Sequence, residues 1–261
     1  IGTQLVQSLL EHGYTVRACV RDAKVSAKTE HFLSLAGRGF PGRLVEPLFS
    51  CDMRKPGSYD EVFRGCAAVF HMALDFGRDP QGKVGTEYQN FGKPADLHDE
   101  TMAALQNVLG SCSRSGSVRR VVYVSSMVAV MNPMRVAQEP DGTCEFSEAD
   151  WADWFPELSA MQEVRPAYGK AKADAERLAY KMAEEDGSFD VVSHCPGIVL
   201  GPLSCKGHHH TWQGKLGWLL EGEPQPKMCW AIADNRDVAE EMRLSLESPK
   251  CKNGSRYLPV H

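Results

Sequence analysis

The amino-acid sequence predicts an α/β fold built on a doubly wound parallel sheet, and three observations lead there. First, short β-prone or apolar runs at Tyr14–Val20, Ala67–Ala73, Arg119–Ser125 and Phe189–Leu200 alternate with helix-like stretches at Lys24–Ala36, Asp99–Ser113 and Tyr168–Glu185. Strands alternating with longer helical patterns pair in parallel and are covered by the helices on both faces. Second, no internal repeat or low-complexity linker interrupts residues 1–261, so the chain reads as one domain. Third, 43% hydrophobic and 24% charged residues over 261 positions are ordinary for a soluble globular domain and supply a full core without staples.

Taken in order, Leu5, Val6, Leu9 and Leu10 share one helical stripe, and Gly13 follows as a natural stop. Tyr14–Val20 then reads as a strand. Val121-Val122-Tyr123-Val124-Ser125-Ser126 is a buried-strand pattern that ends in two hydroxyls. Two stretches break the alternation. Asp75–Asp96, rich in Gly, Pro and polar residues, is expected to arch over a cleft. Asn132–Arg165, with Pro133, Pro140-Asp141-Gly142, Trp151, Trp154 and Pro156, is expected to be an irregular excursion. In an open α/β sheet ligands bind outside the carboxyl ends of the strands, so loops leaving those ends are candidate substrate walls. A surface insertion without a role is the competing reading. The chain opens at Ile1 and enters a helix at once, and Arg256–Val260 reads as a strand cut off in mid-course. Both native ends are therefore expected to lie outside this sequence, where a targeting peptide would be invisible.

Charge and composition exclude some partners. Lys+Arg of 29 against Asp+Glu of 34 gives a net charge of -5, whereas nucleic acid or an anionic membrane as main partner needs a basic face. The longest apolar run, Val121–Val130, is too short to span a bilayer and contains Ser125 and Ser126. The nine cysteines are scattered without a Cys-x-x-Cys pair and read as small core residues of a reducing compartment. His208–His210 cannot all face one ion from a regular element, so no metal site is expected.

The chemistry-bearing residues are few. In Tyr168-Gly-Lys-Ala-Lys172 a tyrosine and a lysine four apart share one helix face. A free phenol titrates near pH 10, and a neighbouring ammonium lowers that value toward a usable acid or base. Of the chain's seven tyrosines only Tyr168 has lysine at the fourth following position. The bland alternative is a Tyr–Lys pair on a solvated helix face. Ser126, at the carboxyl end of a strand, can hydrogen-bond a substrate carbonyl or the Tyr168 hydroxyl; a turn residue is its bland reading. Ile1-Gly2 before an amphipathic helix fits the last glycine of a phosphate-binding turn.

Together these segments resemble the extended short-chain dehydrogenase/reductase family, in its dihydroflavonol reductase and cinnamoyl-CoA reductase branch. Ile1-Gly2 is similar to the tail of the family's Gly-x-x-Gly-x-x-Gly turn, and Val16–Asp22 to its second strand with the cofactor-selecting residues after it. Cys51-Asp52-Met53 resembles the pair beside adenine, and Val69-Phe70-His71-Met72-Ala73 the strand at the ribose. Ser126, Tyr168 and Lys172 fall where the family keeps its catalytic serine, tyrosine and lysine, and Ala173-Asp-Ala175-Glu176 fixes that register. Glu148–Asp153 is similar to the branch's Glu-x-x-Trp-x-Asp run. Pro196–Pro202, with Pro196 and Val199, resembles the loop under the nicotinamide, and Arg236-Asp237-Val238-Ala239 a later helix start.

The resemblance implies a Rossmann-type sheet that here lacks its first strand and part of its substrate lobe, with residues 203–230 as a piece of that lobe. It also implies reduction of an aldehyde or ketone: hydride from the nicotinamide to carbon, a proton from Tyr168 to oxygen, Ser126 polarising that oxygen, and Lys172 tuning Tyr168 and binding the ribose. Arg21 is the first charged residue past the second strand and Lys28 follows one or two helical turns on, which favours the 2′-phosphate of NADPH over NADH. Asp22 is the counter-argument, and it leaves NAD open. Thr101 stands near where many relatives place an asparagine, and the excursion before Tyr168 is long for the branch. The partner expected is a small carbonyl compound, with a homodimer or a larger complex also compatible, and the location expected is cytoplasmic unless an absent targeting peptide directs otherwise. Two rival readings remain: a sugar-nucleotide epimerase or 3β-hydroxysteroid dehydrogenase on the same scaffold, and a non-catalytic subunit of a larger assembly.

Overall fold

A computed structural model describes residues 1–74, 93–138, 144–153, 155–161, 164–204, 217, 220–222 and 231–260. Residues 203–230, His208–His210, Cys205, Cys229, Trp154 and most of the Asp75–Asp96 stretch lie largely or wholly outside the described residues. The chain divides into two compact units: residues 1–52, 196–249 and 259–261 form one, and residues 53–195 and 250–258 the other.

In the first unit, α1 (Gly2–Glu11) buries the expected stripe of Leu5, Val6, Leu9 and Leu10. It packs against α7 (Asn235–Glu247), whose own stripe is Val238, Ala239 and Met242. Ser8 Oγ donates to Glu240 at 3.0 Å and Tyr14 Oη to Glu247 at 2.7 Å along the same seam. Asp234 caps α7 by accepting from the Arg236 N–H at 2.8 Å, at the helix start expected there.

The Tyr14–Val20 run forms two short strands rather than one. β1 (Thr15–Val16) pairs in parallel with β3 (Arg43–Leu44), and β2 (Cys19–Val20) with β4 (Phe49–Ser50). Thr15 faces Arg43 but Cys19 faces Phe49, so the second strand of each pair gains two residues across the break. Pro47 lies in that break and has no N–H to give the ladder. Val6, Leu10, Ala18, Leu35, Leu44 and Leu48 close the core, with Phe32 of α2 (Ser26–Ala36) packed against it. A third parallel pair joins β8 (Ile198–Leu200) to β9 (Ile232–Asp234).

The second unit holds a four-stranded parallel sheet in the order β10 (Ser255–Tyr257), β7 (Asp190–His194), β6 (Arg120–Val124), β5 (Ala68–His71). Val121, Val122, Val191 and Val192 on the two inner strands are fully buried, as an all-parallel sheet requires. Arg120 sits directly opposite Asp190 and grips it through two 2.7 Å bonds. α4 (Pro94–Ser115) and α6 (Val164–Asp186) pack along each other. On α6 the residues Ala167, Ala171, Ala175, Ala179 and Ala183 recur every four positions and are buried, so small side chains let the helix approach closely. α3 (Asp60–Phe63) and α5 (Pro133–Gln138) are short additions.

The Phe189–Leu200 run breaks between β7 and β8 at Cys195-Pro196-Gly197. A Cβ on Gly197 would lie 2.1 Å from the Ala231 carbonyl oxygen, so only glycine admits that approach. Cys51, Cys112, Cys195 and Cys251 are buried as small core residues, while Cys19, Cys66 and Cys144 are half-buried. Among the described residues no helix is long and apolar enough to cross a membrane, and no group of three or more His, Cys, Asp or Glu could hold a metal ion.

Candidate active site

β6 ends at Val124, and the backbone stays extended for two more residues. The Ser125 N–H donates to His194 O at 2.8 Å, which carries the β6–β7 ladder one step further. Successive side chains of an extended segment point to opposite sides. Ser125 points inward, is buried and donates to Glu176 Oε2 at 2.7 Å. Ser126 (φ -165°, ψ 154°) therefore points the other way and opens a 3₁₀ turn over Met127–Ala129, its Oγ accepting from the Val128 N–H at 3.4 Å. α6 packs against that turn.

Lys172 is carried to the same strand end. Its side chain runs inward from α6, and Nζ donates to Val124 O at 2.9 Å and stands 5.3 Å from the centroid of the Tyr123 ring. The residue is 5% exposed, so the solvated reading of the Tyr–Lys pair does not hold for its lysine. Burial pulls the ammonium down from its ordinary 10.5 to about 8, and Cys195 and Glu176 offset part of that fall. Tyr168 precedes Lys172 by one helical turn on the same face. It is half-buried and packs on Leu97 of α4 and its neighbour Ala167, with Met161 beside them.

Other groups close the site from below. His71, the last residue of β5, stacks on Tyr123 at 5.6 Å. Burial first, and the Lys172 charge second, push it down to about 4, so it is neutral at pH 7. Burial and the Glu176 charge raise Tyr123, which stays a neutral phenol. Thr101 spends its hydroxyl on Leu97 O at 2.7 Å, within its own helix. Beneath Ser125, Glu176 also pairs with Arg256 at 2.7 Å. The Glu148–Asp153 run lies against that pair, with the Arg256 guanidinium 3.8 Å from the Trp151 ring centroid.

The candidate cofactor residues fall in both units. In the second unit, Met72 and Ala73 follow directly on His71, and Met53 is buried with its carbonyl accepting from Asn107 at 2.9 Å. In the first unit, Arg21 and Asp52 each follow the end of a strand, β2 and β4 respectively, and Lys28 lies in α2, its side chain outside the described set. Pro196 and Val199 flank Gly197. Gly2 begins α1, on a cavity of about 270 Å³ lined by Gly2, Thr3, His31, Phe32, Ser204 and Asn235. The first-turn N–H groups of a helix have no intrahelical acceptor and suit a phosphate. Asn235 Nδ2 donates to Pro202 O at 3.0 Å, whereas its buried Oδ1 has no partner among the described residues and can accept from a hydroxyl. The lining thus fits the phosphate-and-ribose part of a dinucleotide.

Sequence reasoning quoted Glu176 only as a register mark and His71 only within a strand. It missed the partnership of Glu176 with Arg256, and the Phe155 ring that sits against Gly169 beside Tyr168.

Comparison with known proteins identifies the family. Residues 1–222 match the model of the NAD dependent epimerase/dehydratase family. Cinnamoyl-CoA reductase CAD2 of Medicago truncatula is 34% identical over 251 residues, which cover 95% of this chain and 69% of that one. The bifunctional dihydroflavonol 4-reductase/flavanone 4-reductase of Pyrus communis is 34% identical over 206 residues, 78% of this chain and 52% of that one. This chain therefore spans about half to two thirds of the length of these relatives. The structure of yeast methylglyoxal/isovaleraldehyde reductase Gre2 complexed with NADPH superposes with a TM-score of 0.76 at 24% identity, covering 98% of this chain and 74% of that one. At that identity the likeness is one of fold.

Proposed function

Because the chain belongs to the NAD dependent epimerase/dehydratase family, we propose that it is an NADPH-dependent reductase of an aldehyde or ketone carbonyl, with Ser126, Tyr168 and Lys172 as its working side chains. The observation that carries the reading is the burial of Lys172 at the carboxyl end of β6. There its ammonium binds the carbonyl of Val124, two residues before Ser126, and Lys172 itself follows Tyr168 by one helical turn on α6. A lysine held in that position has no role in packing that a leucine would not fill better.

In the first unit Gly2, Arg21, Lys28, Asp52, Pro196 and Val199 are the residues that would contact a cofactor, and in the second unit, taken by itself, they are Met53, Met72 and Ala73. When bound, NADPH supplies the hydride. Ser126 Oγ donates a hydrogen bond to the substrate oxygen and polarises the carbonyl. Tyr168 Oη transfers its proton to that oxygen as the alkoxide forms, and the Lys172 ammonium stabilises the phenolate left behind. Val124 O and the Tyr123 ring fix the ammonium so that it need not reorganise during the transfer. Arg21 selects NADPH through a guanidinium that matches the 2′-phosphate.

The test is an NADPH-consumption screen of the full-length protein against aldehydes, ketones and CoA thioesters. Oxidation of NADPH in step with loss of one carbonyl class supports the reading. Conversion of a nucleotide sugar with no net NADPH consumption would replace it with an epimerase.

A further inference from the structure

The buried ion pair beneath the site has no task in the proton transfer itself, yet its geometry is fully specified. Arg256 on β10 meets Glu176 on α6 with Nε 2.7 Å from Oε1 and Nη2 3.2 Å from Oε2. The side chains are 4% and 0% exposed. Such a pair adds little stability over an apolar substitute, because desolvation offsets the attraction. What it supplies is arrangement. A guanidinium has five N–H donors. Two go to Glu176, two from Nη1 reach Glu148 O at 3.2 Å and Asp150 O, and one from Nη2 reaches Ala129 O at 3.1 Å. Glu176 is likewise filled, by Ser125 at 2.7 Å and by Tyr180 Oη at 3.0 Å.

The branches from Arg256, and the one from Glu176 to Ser125, end on segments that bear on the site. Ala129 closes the turn that Ser126 opens. Ser125 is the neighbour of Ser126, and Glu176 stands one helical turn past Lys172. The Glu148–Trp151 loop is tied to the same turn, since the Ala152 N–H donates to Ala129 O at 3.0 Å.

We propose that Arg256 and Glu176 are positioning residues for carbonyl reduction: Arg256 locks the Ser126 turn to the 148–151 loop, while Glu176 anchors Ser125 and gives Lys172 a buried counter-charge. This rests on the reductase reading above. The groups facing Lys172 are Glu176 and Tyr168 on α6, Tyr123 on β6, His71 on β5 and Cys195 after β7. His71 is neutral at pH 7, Tyr123 stays a phenol, and burial pushes Cys195 up to about 12, so Glu176 is the carboxylate among them.

The experiment measures kcat, KM, pH profile and NADPH affinity in the full-length protein, with the carbonyl that the wild type reduces fastest in the screen. Arg256→Lys keeps the charge but has three donors, so it should lower kcat about 10- to 100-fold with NADPH Kd held within about twofold and the alkaline limb unmoved. Glu176→Gln should also lower kcat. It should in addition move the alkaline limb down by about half a pH unit or more, because the ammonium loses its counter-charge. Ser125→Ala, which removes one hydroxyl, is the milder variant if Glu176→Gln does not fold, with an expected loss of about 3- to 10-fold. Wild-type kcat in Arg256→Lys and Ser125→Ala, or an unmoved limb in a folded Glu176→Gln, overturns the positioning role alone. A wild type inert toward every carbonyl overturns the reductase reading instead.

Discussion

Lys172→Met tests the electrostatics of the site through stability, without a substrate. In the fold the ammonium is shifted from 10.5 to about 8 by burial. At about 1.4 kcal/mol per pH unit, keeping it charged in the native state costs about 3 kcal/mol. Methionine removes that cost but leaves Val124 O without its 2.9 Å donor, a loss of about 1–2 kcal/mol. At pH 7 the variant should therefore be more stable than wild type by about 1–2 kcal/mol. As pH rises past about 8, the native wild type releases the proton while the unfolded chain keeps it until about 10.5. The unfolded state then binds more protons, so wild-type stability rises with pH across that window. The variant has no such group. By pH 10 the difference should have moved by about 2–3 kcal/mol in favour of wild type and changed sign. Urea unfolding of both proteins at pH 7 and pH 10 reads this directly, since titrations that do not feel Lys172 cancel between them. A wild-type minus variant difference that is the same at both pH values would refute the buried ammonium.

Gly169→Ala places a Cβ 2.4 Å from Phe155 Cζ and should destabilise by about 1–3 kcal/mol; in a Phe155→Ala background the same change should instead stabilise by about 1 kcal/mol through helix propensity, as thermal melts of the four proteins would show. Asp190→Ala removes both 2.7 Å bonds to Arg120, leaving that guanidinium half-buried with Cys251 O at 2.8 Å, and should cost about 1–3 kcal/mol in urea unfolding. Arg21→Ala should weaken NADPH binding by about tenfold or more and leave NADH unchanged in fluorescence titration; equal effects on both cofactors would remove the selectivity argument.

How much of this was legible in sequence depended on how local each signal is. β6 could be read because Val121–Val124 is apolar on both faces and ends in two hydroxyls, and α1 because Leu5, Val6, Leu9 and Leu10 repeat at helical spacing. Tyr168 and Lys172 could be paired because four residues on a helix set their separation. Ser126 was suggested by its place at the carboxyl end of a strand and joined to the pair by family resemblance, since its position depends on how α6 packs on the turn after β6. The Arg256–Glu176 pair was not legible: its members lie 80 residues apart, and each alone reads as a surface charge on an ordinary element. The break in Tyr14–Val20 was missed because its cause, Pro47, sits in the partner strand's segment. The neutral state of His71 and the low value of Lys172 follow from burial, which sequence pattern does not measure.

Tyr168→Phe in the full-length protein tests the central assignment most directly, because it removes one oxygen from a half-buried ring and leaves its packing on Leu97 and Ala167 in place. The measurement is NADPH oxidation with the preferred carbonyl, alongside NADPH affinity by fluorescence. The expected result is a fall in kcat of about a thousandfold or more with NADPH affinity unchanged. Turnover within tenfold of wild type would contradict the assignment.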